Sequence, residues 1–167
     1  MKKVMMMLAL ASMTVCFSAK AQNFDQSQLV FLVFNYENGI YNGRTEQELA
    51  AYEADWYKDR PRYEGRFLEG YGDKQTPTAR IPLIRTEKQL AEIEEITAPV
   101  LRVNIIAVDK KGNLRASVSC TAPNHPGMRA EKAFNSRGGT FGTWLNLFGD
   151  GMERLGEQVA VWLAGEF

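Results

Sequence analysis

The chain predicts an α+β fold: a small, mainly antiparallel sheet built on a central hairpin at about 100–120 and packed against helices, including a C-terminal amphipathic helix. Three observations carry this. First, residues 99–121 read as a hairpin, with a β-branched apolar first arm and a turn at Asp109-Lys110-Lys111-Gly112-Asn113. In its second arm Leu114, Ala116, Val118 and Cys120 share one face, and Arg115, Ser117 and Ser119 share the other. Second, Leu29-Val30-Phe31-Leu32-Val33-Phe34 is an unbroken apolar run of strand length, which reads as a central strand covered on both faces or buried at its edge. Third, Met152, Leu155, Val159, Trp162 and Leu163 recur at helical spacing to the chain end.

The first residues read as an export signal. Lys2 and Lys3 precede a mostly apolar run, Val4 to Phe17, too short to span a bilayer comfortably. Ala19-Lys20-Ala21 places small residues where a signal peptidase reads them, so residues 1–21 form a signal peptide with cleavage before Gln22. Lipidation at Cys16 is the alternative, although Val15 and Phe17 flank it poorly. Removing 21 of 167 residues leaves 146, enough for a single domain at 22–167 with its own core. Loss of Lys2, Lys3 and Lys20 leaves 17 basic residues against 20 acidic ones, a net charge of −3. That balance argues against a nucleic-acid binder and against a polybasic membrane binder. Of the two cysteines only Cys120 survives cleavage, so an internal disulfide is excluded, and its place on the apolar face of the hairpin makes it a small buried hydrophobe.

The remaining elements follow in order. Residues 23–28 are polar and read as loose, and residues 36–43 form a loop rich in Asn and Gly. Thr45-Glu46-Gln47-Glu48 is a capping box that starts a helix running to about Lys58, with Leu49, Tyr52 and Trp56 along one stripe. Asp59-Arg60-Pro61 ends that helix, because the residue before proline avoids the α region. Residues 62–78 read as irregular, broken by Gly65, Gly70, Gly72 and Pro77, with a short extended piece at 63–68. Residues 79–84 form a strand in which Pro82 favours an edge or a bulge. Thr86-Glu87-Lys88-Gln89 is a second capping box, leading a short helix with Leu90, Ile93 and Ile96 inward and Glu92, Glu94 and Glu95 in water. Residues 122–127 are a turn, 128–136 a third antiparallel strand with Ala130 and Phe134 inward, and 137–142 a glycine-rich bend. The last helix starts at Asp150-Gly151-Met152-Glu153, preceded by a helical turn at 143–148.

None of the candidate chemistry specifies a reaction. His125, the only histidine, lies in an Asn-His-Pro-Gly turn and reads as solvated; a pair with Cys120 lacks an orienting group. One histidine and one cysteine do not make a zinc site, and no Asp-rich run supports a calcium site, so neither metal nor cofactor is expected. No Gly-x-Ser-x-Gly elbow or phosphate loop occurs. Carboxylate pairs such as Asp55 and Asp59 read as solvated faces. The unusual stretch is 36–71, which holds all six tyrosines together with Trp56, Phe67 and interleaved charges. Tyrosine and arginine suit binding surfaces because they bury area while keeping polar tips. The reading divides evenly between core and contact use, with Tyr41, Arg44, Trp56, Arg60, Tyr63 and Arg66 as candidate contacts. Arg137, Gly138 and Gly139 form a second candidate surface, where glycine amides ahead of a helix can bind an anion or simply permit close packing.

The order strand, helix, short helix, hairpin, third strand, the segment Arg137-Gly138-Gly139-Thr140-Phe141-Gly142-Thr143-Trp144, then a terminal helix resembles small exported bacterial envelope proteins. Their cores are similar to the N-terminal α/β domain of the TolB translocation protein and to penicillin-binding-protein activator lipoproteins. The resemblance implies a non-enzymatic accessory protein of the periplasm or outer envelope that binds an envelope or secreted protein. Two alternatives stay open: a small secreted hydrolase or inhibitor using converging acids, and a small-ligand carrier with an apolar void beneath Trp162 and Met152.

Overall fold

The apolar run at 29–34 becomes β1 (Leu29–Asn35), and both of its neighbours run parallel to it. In the computed structural model, which describes residues 26–75, 80–122 and 129–166, β1 lies between β4 (Ile81–Ile84) and β5 (Val100–Val108). The antiparallel part is the hairpin and its extension: β5 pairs with β6 (Leu114–Thr121), and β6 with β7 (Arg129–Ser136). The sheet is therefore mixed, which corrects the expectation of a mainly antiparallel one. The physical reason is the long connection after β1, whose helical crossover returns the chain to run alongside β1 in the same direction. Pro82 sits in β4 at the sheet edge, where its missing N–H costs no ladder bond.

The expected loop at 36–43 gives way to a two-strand ribbon, β2 (Ile40–Tyr41) and β3 (Arg44–Thr45). Its turn is Asn42-Gly43, with φ of 51° and 80°, the two left-handed residues that a primed hairpin turn requires. β2 pairs in parallel with the C-terminal end of β5, beyond the point where β1 stops.

Thr45 caps α1 (Glu46–Tyr52) with both arms of the capping box formed. That helix stops at Tyr52 rather than near Lys58, because Glu53 is extended. A second helix, α2 (Trp56–Asp73), then runs through Pro61 and takes up residues 62–73 of the segment expected to be irregular. Trp56, Tyr63, Phe67, Gly70 and Tyr71 are buried along it, which is a helical stripe. Pro61 lies on the exposed side, where water can satisfy the carbonyl its ring leaves unbonded. The stripe packs on α4 (Trp144–Glu166).

The glycines that suggested breaks serve this contact instead. A side chain at Gly70 would collide with the backbone of Glu153, and one at Gly156 with the backbone of Phe67 and Tyr71. The two helices thus approach through reciprocal glycines. α4 is continuous from Trp144, so Asp150 and Glu153 do not start a helix; both carboxylates reach across to Arg66 on α2.

The larger core lies between the sheet and α1, α2 and α4. Val30, Leu32, Leu101, Val103, Val118 and Cys120 from the sheet meet Trp56, Phe67, Phe148, Met152, Leu155 and Trp162. The opposite face of β1 is covered too. Phe31 and Val33 pack there with Leu90 of α3 (Glu87–Ala91), Ala98 and Val100. α3 is capped by Thr86 and Gln89 as the sequence indicates, and Ile93 and Ile96 pack beyond its end. Residues 1–21, read from the sequence as a signal peptide, with Cys16, and the expected turn containing His125 lie outside the described residues.

Candidate functional site

The tyrosine-rich window resolves mainly into core. Tyr41, Trp56 and Tyr63 are each no more than 2% exposed, which corrects their assignment as contact residues. The indole of Trp56 is the hub of the cluster. Tyr36 meets it edge-on at 5.9 Å, and the rings of Tyr41, Tyr63 and Phe148 lie within 6.0 Å. Its Nε1 donates to Glu46 at 3.1 Å, and Glu46, itself buried, pairs with Arg60.

The Arg60 guanidinium lies over the rings of Tyr36 and Tyr57, at 4.8 and 4.6 Å. Arg60 is thus a brace between α1, α2 and the 36–43 loop. Arg66 is likewise engaged, with Asp150 at 2.8 Å, Glu69 at 3.3 Å and Glu153 close by. Burial raises the phenols of Tyr36 and Tyr41, and pushes Tyr63 up to about 12. Burial also raises the Glu64 carboxyl, against the lowering effects of the Tyr36 hydroxyl and Arg60. What remains at the surface of this window is Arg44 stacked on Tyr52 at 4.4 Å, with Tyr52, Tyr57 and Ile40 exposed.

The second candidate surface has a different construction. The hairpin turn after β5 is fixed by Asp109, whose Oδ1 accepts from the amides of Lys111 (2.7 Å) and Asn113 (3.0 Å). Burial raises the Asp109 carboxyl, but the Asn113 side-chain amide, these two backbone amides and the nearby Lys111 charge together hold it below its usual range. Gly112 adopts φ 73°, as expected for the turn. The bend after β7 is then tied to that turn and to α4. The Gly138 amide donates to Asn113 Oδ1 at 3.0 Å, and the Gly139 amide to the Leu147 carbonyl at 3.2 Å. Arg154 donates to the carbonyls of Arg137 (2.7 Å) and Gly138, and Trp144 Nε1 donates to the Asp109 carbonyl at 2.9 Å. Gly112 and Gly138 are in backbone contact, and Gly151 packs against Gly112.

The glycine amides at 138 and 139 therefore make internal bonds and are not presented to an anion. The braced bend instead displays side chains. Phe141 is 87% exposed, next to a groove of about 470 Å³ lined by Lys111, Asn113, Arg137, Gly139, Thr140 and Leu147. Sequence reasoning marked the bend but missed Phe141 and Lys111. An aromatic between glycines, outside any apolar period, was the available signal.

The other chemistry is placed as follows. Cys120 is fully buried, and burial pushes its thiol up to about 11, so it is not a ready nucleophile. Among the described residues no cluster of His, Cys, Asp and Glu could hold a metal. Asp55, Glu92, Glu94 and Glu95 are exposed, and none lines the groove at the bend or a second groove of about 670 Å³. That second groove opens between β7 and the end of α4 and carries Lys74, Lys132 and Glu157 beside Trp162. Met152 is fully buried in the larger core, while Trp162 lines this second groove.

No protein-family model matches the chain, and no curated protein matches it in sequence. Among solved structures it is similar to a crystal structure of a Xanthomonas campestris protein assigned to the DUF330 family, with a TM-score of 0.46 and 6% identity over 83% of this chain and 84% of that one. That likeness is too distant to transfer fold or function, and the TolB-like resemblance finds no support among these comparisons.

Proposed function

We propose that this chain is an exported accessory protein of the bacterial envelope that acts by binding another protein, with the braced bend at 137–142 as its contact surface. The observation that carries the reading is Phe141. Phe141 is 87% exposed and so contributes almost nothing to folding, while residues 137–139 just before it are tied to the turn after β5 and to α4. An apolar side chain left exposed next to a braced backbone suits a binding anchor, since part of the ordering cost of the segment is met in advance. The leader-like residues 1–21 support export, and no helix among the described residues is long and apolar enough to cross a membrane.

The test is a photo-crosslinking amino acid placed at residue 141 in the producing cell, with the same substitution at exposed Glu94 on the opposite face of the sheet as control. One protein adduct formed from position 141 and not from 94 is the expected result. Equal adducts from both positions, or none from 141, would remove the bend as a contact surface. The Arg44–Tyr52 stack with exposed Tyr57 favours a second surface at the α1–α2 corner, and the double variant Tyr52→Ala, Tyr57→Ala tests it separately.

A further inference from the structure

We infer that the bend recognises an acidic linear segment of its partner: a carboxylate side chain enters the groove between Lys111 and Arg137, and a neighbouring apolar side chain packs on Phe141. This rests on the binding role just proposed and adds the chemistry of the partner.

Charge and shape carry the inference. Ion pairs among the described residues engage Lys58, Arg60, Arg66 and Arg102, and neither Lys111 nor Arg137 is in one. The acids close to the groove are already occupied. Asp109 spends both oxygens on the amides and side chain of its own turn, and Asp150, behind Gly139, is held by Arg66. Lys111 and Arg137 are both exposed and line the same groove, with Thr140 beside them. Lys111 acts on the Asp109 carboxyl from beyond ion-pair distance and Arg137 is in no ion pair among the described residues, so the concave site bears two exposed cations; it is complementary to a carboxylate, and Arg can hold one bidentately.

The placement of Phe141 selects an extended segment over a free small anion. A lone anion would gain nothing from an aromatic outside the groove, whereas a chain with an acid and an apolar residue a short step apart would engage both. The groove also favours a peptide over a flat bilayer, because its cations line a concavity and not a plane. Binding is expected to weaken with added salt, since both cations are exposed and screened.

The experiment is selection from a random-peptide display library on the folded wild-type protein, followed by affinity measurement on Lys111→Glu, Arg137→Glu and Phe141→Ala. Vesicles of phosphatidylglycerol and phosphatidylcholine serve as a parallel probe. Selected peptides enriched in Asp or Glu next to an apolar residue are expected, with affinity lost about tenfold or more in each variant. Peptides that lack acidic enrichment but still depend on Phe141 would overturn the acidic chemistry and leave the binding role standing. Selection yielding no peptide sensitive to these three positions would overturn both. Phe141-dependent binding to the anionic vesicles without peptide binding would assign the surface to lipid and likewise overturn both. All three substitutions lie at the surface, and an unchanged circular dichroism spectrum and melting temperature confirm that each variant is folded.

Discussion

Tyr63 shows how burial and hydrogen bonding separate at a single residue. Its ring stacks on Trp56 and meets Phe148 at 5.0 Å, but its hydroxyl is buried with no hydrogen-bond partner. A buried unpaired hydroxyl costs free energy, so Tyr63→Phe should be neutral or stabilising, whereas Tyr63→Ala should cost about 3 kcal/mol or more through lost packing. Urea unfolding of both variants checks the contrast, and a large loss in Tyr63→Phe would mean that the hydroxyl does have a partner. The same burial sets the alkaline limit. Tyr36, Tyr41, Tyr63, Tyr71 and Cys120 are all shifted upward, chiefly by burial. The ordinary values are 10.0 for the phenols and 9.0 for the thiol. Below them both the folded and the unfolded chain hold these protons, so the contribution to stability is fully present. Above them the unfolded chain ionises first, and stability falls as pH rises toward the folded values, about 11 for Cys120 and about 12 for Tyr63. The urea midpoint should therefore drop between about pH 9 and about pH 11. A flat profile there would contradict the burial of these groups. Cys120 should also resist thiol reagents until the protein unfolds.

At the scale of elements, the α2–α4 contact is the most informative. Gly70 and Gly156 each sit against the other helix's backbone, while Gly65 and Gly72 on α2 face open space. Gly70→Ala or Gly156→Ala should destabilise by about 1–3 kcal/mol or more through overpacking. Gly65→Ala or Gly72→Ala should stabilise by up to about 1 kcal/mol through helix propensity. Thermal unfolding of the four variants checks this, and equal effects at all four sites would mean that the helices do not approach closely. This pairing also explains where the sequence misled. A glycine that permits backbone contact and a glycine that breaks a helix look alike in a linear chain; only the partner helix distinguishes them. Pro61 misled for a similar reason, since tertiary packing of Trp56, Tyr63 and Phe67 outweighs one missing hydrogen bond. The capping boxes at Thr45 and Thr86 and the hairpin turn at Gly112 were legible because their causes are local. The Asn42-Gly43 ribbon carried an equally local signal and was passed over.

At the scale of the whole molecule, mixed sheet topology was not legible because it depends on which strands meet after a long crossover. The single large core was legible in outline. Leu114, Ala116, Val118 and Cys120 all point into it, as do Met152, Leu155, Val159, Trp162 and Leu163. The candidate surface was half legible: the glycine-rich bend stood out, but the division of 36–71 into core tyrosines and bracing arginines needed the third dimension. Core and contact are therefore separable by experiment. Phe141→Ala and Arg137→Ala should leave unfolding within about 0.5 kcal/mol of wild type, as substitutions of exposed side chains do, while Trp56→Ala should cost about 3–5 kcal/mol. Whether the bend holds its groups in place ahead of any partner is tested most directly by native-state amide hydrogen exchange at Gly138 and Gly139. Slow exchange at both amides, with fast exchange at neighbouring Phe141, is the expected result, because the first two donate to Asn113 and Leu147. Exchange at Gly138 and Gly139 as fast as in an open loop would contradict a braced binding surface.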